Sequence, residues 1–371
     1  MRNELISIFD GIKDPRKIDR CTYELGDLMA IALLTYLTGK KDYADMELFA
    51  IHSARDYGLL PYTDKNPSRD TFERLFGILK TDYLEQCVVE HGRRVMDIMA
   101  EKQIVIDGKK ECGTAPREKG PKGDYLLNAY VAENALFIGQ EKLTNKENEI
   151  PAIPRLLDKI VITNAIVSID AMGTQVDIAR KIVDMGGHYF LAVKENQAGL
   201  LFEIKEVMRY NKPTSTHTET DKEHARVETR AVSIYPADKI VDKEILNRWK
   251  NLRTLVKVDT HTYHVSEDGR EETQTRYYIS DEDFPHARYY GGLARGHWSI
   301  ENGLHWHLDV TFKGDDCRAR KLNAAQNLSL LRKLALQIVK ATDDKLSVQK
   351  RLVRASLDSE YLFTLLKNYG F

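Results

Sequence analysis

Three acidic residues of this chain, Asp107, Asp170 and Glu301, stand in settings that suit carboxylates with a shared task. Asp107 follows the β-branched run Ile104-Val105-Ile106 and precedes Gly108, the pattern of a buried strand that stops at a functional edge. Asp170 follows Ile166-Val167-Ser168-Ile169 in the same manner, and it could also cap the helix that comes next. Glu301 lies in the run His297 to Val310, HWSIENGLHWHLDV, where His297, Glu301, His305 and Asp309 recur every four residues. On a helix this ladder stays roughly on one face, drifting by about 40° per step. Trp298 and Trp306 fall on other faces, where core packing is expected.

Magnesium prefers carboxylate, water and phosphate oxygens. Two such ions about 3.5–4 Å apart can activate a nucleophile and stabilise the leaving oxygen of an in-line displacement. Asp107, Asp170 and Glu301 are therefore the expected metal ligands, with Asp107 bridging. A zinc site on the histidine-rich helix is the competing reading. Against it, HExxH is absent, and one helix offers a single ion only two adjacent ligands.

Other residues suit phosphate oxygens. Lys194, Asn196 and Gln197 directly follow an expected strand, and a lysine with two amides there can contact a nucleic-acid backbone. Arg295 and His297, just before Glu301, are further candidates, as are Arg318 and Lys321. The densest basic runs are Arg117 to Lys122, Arg318 to Lys321, and Arg332 with Lys333.

The elements that must position these side chains can be read from hydrophobic period. The first hundred residues look helical: Leu25, Leu28, Met29, Ala32, Leu33 and Tyr36 share helical spacing up to Gly39. A second helix begins after Pro67, with Ser68 as its cap and Phe72, Leu75, Phe76 and Leu79 as its apolar stripe. From about residue 102 the pattern becomes strand, hairpin (around Glu133-Asn134), helix from Ile153, strand from Ala165, helix from Gln175, strand from Tyr189, helix from Gly199. That order predicts an α/β fold, a mixed sheet with flanking helices of RNase H-like type. Residues 213–284 alternate polar and β-branched positions and read as a β-rich insertion of antiparallel strands. Helices from Tyr289 to about Asp309 and from Ala324 to Lys340 resume the core. The expected units are 1–95 (helical, a candidate DNA contact), 96–212 and 285–345 (the two parts of the core), 213–284 (the insertion) and 346–371 (a helical tail).

Composition sets the bounds. With 371 residues, 42% hydrophobic and 30% charged, the chain reads as a globular protein of two or three units. No apolar run approaches a membrane span and the first residues lack a signal-peptide core, so a cytoplasmic location is expected. Four widely spaced cysteines argue for reduced thiols. A net charge of −1 means that any DNA-gripping basic surface is local.

Several motifs together resemble one family. Val105-Ile106-Asp107-Gly108-Lys109, Ser168-Ile169-Asp170-Ala171-Met172-Gly173 and Arg295 to Asn302 with Leu304 to Phe312 resemble the three acidic motifs of DDE transposases of bacterial insertion sequences. Within them they resemble the H-repeat-associated group. The similarity extends to Lys146 to Pro154, Lys194 to Gln197 and Arg318 to Leu334, and covers nearly the full chain. The resemblance implies Mg²⁺-dependent cleavage at element ends and strand transfer into target DNA, with Mn²⁺ able to substitute. It implies Asp107, Asp170 and Glu301 as catalytic metal ligands. The implied partners are double-stranded DNA (terminal inverted repeats and target) and further copies of the chain, as a homodimer or higher oligomer on DNA. A stand-alone Mg²⁺ nuclease and a catalytically silent DNA-binding relic are the alternatives. Ala294, His297 and Leu308 depart from the tyrosine, arginine and lysine of related enzymes, and Glu111 places an acidic residue near the expected DNA path.

Overall fold

The computed structural model describes residues 2–60, 65–95, 102–114, 123–143, 148–223, 226–265 and 269–370. The basic run Arg117 to Lys122 and the motif residues Lys146 and Glu147 lie outside them.

Five helices come first: α1 (Arg2–Ser7), α2 (Leu25–Leu37), α3 (Tyr43–His52), α4 (Arg69–Ile78) and α5 (Thr81–Val95). α2 is buried on all sides from Asp27, which Arg2 pairs at 2.9 Å, to Leu37, and Gly39 at φ +74° turns the chain away. Ser68 occupies the cap position of α4, but its hydroxyl pairs with Thr71 Oγ1 at 3.2 Å instead of a backbone N–H. The α4 stripe is as expected: Phe72, Leu75, Phe76 and Leu79 are buried.

Strands β1 (Gln103–Lys110), β2 (Tyr125–Val131) and β3 (Leu136–Lys142) pair antiparallel. Ala135 at φ +54° makes the tight turn between the last two. Helix α6 (Glu149–Lys159) leads to β4 (Ile166–Ile169), which lies parallel to β1. Helix α7 (Val176–Asp184) leads to β5 (His188–Val193), parallel to β4. Helix α8 (Ala198–Tyr210) closes this half. α6 starts four residues before the expected Ile153, because Asn148 accepts from the Ile150 N–H and caps it.

The β-rich segment comprises β6 (Ser215–Glu223), β7 (Arg226–Pro236), a short helix α9 (Lys243–Arg248), β8 (Thr254–His264) and β9 (Glu271–Ser280). It extends the same sheet: β9 pairs antiparallel with β5, giving one nine-stranded sheet in the order β3-β2-β1-β4-β5-β9-β8-β7-β6. Otherwise β5 would present a row of unpaired backbone groups at an edge.

The chain continues with α10 (Ala287–His297), two π-helical turns (Glu301–His305 and His307–Thr311), then α11 (Ala324–Lys340), α12 (Val348–Leu357) and α13 (Ser359–Asn368). Ile104, Ile106, Val167, Ile169 and Leu191 pack one sheet face on α6, α7 and α8. Val105, Tyr130 and Phe137 on the other face meet α11 and the N-terminal helices, with Ile300, Leu304, Leu308 and Phe312 in the same core. Ile166, Phe190, Val232, Val256 and Val258 lie beneath α10. Among the described residues no helix is long and apolar enough to cross a membrane.

Candidate active site

The sheet register places the two aspartates. β1 and β4 run parallel with Ile106 opposite Ile169; Asp107 is the next residue of β1, and Asp170 is the first residue beyond β4. Side chains alternate along a strand, so Asp107 shares the face of Val105, and Asp170 that of Ile166 and Ser168. Both point to the side occupied by α10 and α11. β1 does not stop at Asp107 as expected. It continues to Lys110 because β2 pairs with it through Lys110–Tyr125, while its parallel neighbour β4 ends at Ile169. Asp107 therefore sits within a strand that has just lost one partner. Gly108 is required there: a Cβ would lie 2.2 Å from Glu149 Oε1 and 2.3 Å from the Tyr125 ring.

The Asp170 carboxylate is engaged by its own loop, accepting from the N–H groups of Met172 (3.0 Å) and Gly173 (3.2 Å). That loop is pinned from the segment after β5. Asn196 Nδ2 donates to Ala171 O at 2.5 Å and Gln197 Nε2 to Thr174 O at 2.9 Å. The two amides picked out as phosphate contacts thus spend donors on the Asp170 loop, while Lys194 beside them is exposed.

Glu301 is delivered from the opposite side. The Gln103 amide donates to Ser168 Oγ (2.9 Å) and Leu293 O (2.8 Å), tying α10 to the sheet. Gly296 permits that approach, since a Cβ there would meet Gln103 Oε1 at 2.0 Å. After His297 the expected continuous α-helix gives way to the π-helical turns. Their wider winding drifts residues spaced by four in the opposite sense to an α-helix, so α-helical and π-helical turns in succession offset each other. The four rungs reach toward the sheet, with the Glu301 side chain still 53% exposed. His297 Nδ1 is 3.2 Å from Ser168 Oγ, Glu301 and His305 reach Asp107, and Asp309 pairs with Lys109. The tryptophans are on the outside, Trp298 44% and Trp306 51% exposed, which overturns their expected core role. With the ladder and Ile300, Leu304 and Leu308 turned inward, the faces left to the tryptophans are solvent-exposed. Arg276 lies over the Trp298 ring at 4.8 Å.

Among the described residues Asp107, Glu301 and His305 form a group whose ligand atoms lie within 4.8 Å of one another. Asp170 stands outside that group but within electrostatic reach. Desolvation, then the charges of Glu301, Glu149 and Asp170, push the Asp107 carboxyl up to about 7, against the opposing Gly108 N–H. Glu149, at the first turn of α6, is a buried fourth carboxylate, hydrogen-bonded by Tyr125 at 2.5 Å, and burial raises its pKa. Burial pushes His305 down to about 3 and His297 to about 4, so both rings are neutral near pH 7. Such a set, rich in oxygen, half-buried and short of cations, fits a hard divalent ion.

The remaining sequence candidates are scattered. Arg295 pairs with Asp221 of β6 at 2.9 Å, and Lys321 with Glu73 of α4 at 2.9 Å. Arg318 is exposed. Arg332 and Lys333 are fully buried in α11, so they contribute nothing to a basic surface. Glu111 is buried too, accepting from Ser329 Oγ at 3.0 Å with Arg332 Nη1 at 3.9 Å, and so does not lie on an exposed DNA path. His305, Glu149 and Lys333 are not among the site residues expected from the sequence. His305 was signalled by its four-residue spacing from Glu301, and Glu149 and Lys333 only by lying within the stretches Lys146 to Pro154 and Arg318 to Leu334.

Comparison with known proteins gives the class. Residues 100–338 match the family described as Transposase DDE domain, and residues 6–91 match the one described as DDE_Tnp_1-associated. The chain belongs to the DDE transposase family. It is 30% identical over 373 residues to YhhI of Escherichia coli strain K12, named an "H repeat-associated putative transposase", covering 97% of this chain and 96% of that protein. YbfL of the same strain shows the same identity and coverage. YncI of Escherichia coli O157:H7, named a "putative transposase", is 30% identical over 98% of this chain and 94% of its own length.

Proposed function

We propose that this protein is a DNA transposase that cuts the ends of an insertion sequence and joins them to target DNA, using Mg²⁺ held by Asp107, Asp170 and Glu301. The observation that carries this reading is the meeting of Glu301 with Asp107 beside the register position of Asp170. The strand order β3-β2-β1-β4-β5, with β2 and β3 antiparallel and β4 and β5 parallel to β1, supports an RNase H-like core. Divalent ions bound there would polarise the scissile phosphate and lower the pKa of the attacking water or 3′-hydroxyl. Mn²⁺, with similar oxygen ligation, is expected to substitute.

The protein's own groups do the positioning. Asp107 is set by strand register, Asp170 by its turn, and Glu301 by the π-helical turn. Lys194, Arg318 and the Asn196–Gln197 segment lie on candidate paths for phosphates, with His297 as a neutral ring beside Asp170. Arg295 and Lys321 would have to leave acidic partners to join them. The functional unit is a dimer or higher oligomer on double-stranded DNA, so that two element ends are handled together.

The test is incubation of the full chain with Mg²⁺ and duplex DNA carrying the repeats that flank its gene, alongside Asp107→Asn and Glu301→Gln. Cleavage followed by joining, lost to background in both variants, is expected. Cleavage without joining would identify a stand-alone nuclease. DNA binding with no carboxylate-dependent cutting would sink the enzymatic reading.

A further inference from the structure

His305 belongs to the only three-residue group among the described residues whose geometry would hold a metal ion, and an imidazole among carboxylates invites assignment as a ligand. The hydrogen bonds behind it argue otherwise. Lys333, fully buried in α11, is surrounded by acceptors: Asn128 Oδ1 at 2.7 Å, Gln140 Oε1 at 2.6 Å and the face of Phe137 at 4.6 Å. In either protonation state its nitrogen can donate to both amide oxygens. Asn128 stands directly opposite Asp107 in the β1–β2 register. With its oxygen taken by Lys333, its amide nitrogen faces Leu126 O at 3.3 Å and His305 Nε2 at 3.4 Å. The Leu126 carbonyl is acceptor-only, so the amide is oriented from both ends. His305 Nε2 must then accept. A neutral imidazole has one N–H, which falls on Nδ1, the nitrogen 3.4 Å from Asp107 Oδ2 and 3.9 Å from Glu301 Oε2.

We propose that His305 is a positioning residue, turned by the Lys333–Asn128 chain so that its Nδ1–H faces the Asp107 and Glu301 carboxylates, and is not itself a metal ligand. A nitrogen that carries its proton has no lone pair to offer a cation. It offers a positive dipole edge that holds two mutually repelling carboxylates on one side of the site and leaves their outer oxygens free. The inference rests on the reading of Asp107 and Glu301 as cation ligands, and supplies the reason why a histidine stands among them.

The full chain labelled with ¹⁵N-histidine, free of metal, should show His305 as the Nδ1–H tautomer, its signal assigned by loss in His305→Asn. With Mn²⁺ bound, pulsed EPR should show no imidazole nitrogen coupling, a result that needs no variant. His305→Asn keeps an N–H near the Nδ1 position and should bind Mn²⁺ within about threefold of the unaltered chain, whereas His305→Ala should lose about 10–100-fold. Asn128→Asp reverses the chain: it accepts from both Lys333 and an Nε2–H, frees Nδ1, and should make the nitrogen coupling appear. An Nε2–H tautomer in the unaltered protein, or a nitrogen coupling there that His305→Asn abolishes, would overturn the proposal. If Mn²⁺ binding is absent and indifferent to Asp107→Asn, the metal-site reading fails, while the metal-free tautomer still decides the role of His305.

Discussion

Asp107 is a carboxylate only 20% exposed on its side chain, facing Glu301 with Glu149 and Asp170 close enough to be felt. Without a cation this arrangement is costly. A folded-state pKa raised from 3.8 to about 7 means that the native protein holds a proton the unfolded chain has released, so metal-free stability falls between about pH 4 and pH 7 and levels off above. The loss is at most about 4 kcal/mol and smaller where the neighbouring carboxylates share it. Thermal unfolding in EDTA across that pH range should show the decline, and Mg²⁺ should reverse it at pH 8. Asp107→Asn should abolish the decline and stabilise the metal-free protein at pH 8 by about 1–3 kcal/mol, while ending cleavage. A flat pH profile in the unaltered protein would show that the carboxylates are not crowded in solution.

The helical segment from Ala287 to Thr311 works by contact at both ends. Gly296 lets α10 come down on Gln103, and Lys340 of α11 donates to Gly303 O at 2.6 Å, holding the first π-helical turn. Between these anchors the winding widens and Glu301 is presented to Asp107. Gly296→Ala places a methyl group 2.0 Å from Gln103 Oε1, and overpacking of this kind costs about 1–3 kcal/mol. The expected result is a folded protein by circular dichroism whose cleavage rate falls far more than its stability, because a displacement of about 1 Å at a reacting centre can cost about 100-fold. Equal losses in both would mean that α10 does not set the glutamate.

At the scale of the whole molecule, one core joins distant parts of the chain. Leu352, Leu362, Leu365 and Leu366 of α12 and α13 are buried in the same cluster as Leu28, Phe49 and Phe72 of the N-terminal helices. Removing residues 346–371 exposes the partners of these four leucines. At about 1.5–3 kcal/mol each that is comparable to the whole stability of a typical domain, so the truncated chain should be insoluble or unfolded. DNA binding should depend on local charge, since the net charge is −1. Lys194→Ala should lower the slope of log K against log salt by about one, as loss of a phosphate contact does. Lys321→Ala, whose ammonium is already paired with Glu73, should change it little. Equal effects in a salt titration would place Lys321 on the DNA path.

Legible in the sequence were the order of the elements, the β-branched runs that lead into Asp107 and Asp170, and the motif that contains Glu301. These are local properties, written in period and residue type. The exact span of α11 was legible because its apolar repeat is unbroken. Tertiary structure decided what depends on distant partners. β1 passes beyond Asp107 because β2 continues to pair with it; the tryptophans face solvent because the ladder turns inward; Lys333 is buried because Asn128, Gln140 and Phe137 receive it. His305 and Glu149 join the site by the same rule. A carboxylate or an imidazole acquires its role from the charges folded around it, and those arrive from residues 200 positions away and more, as Asp309 does for Lys109.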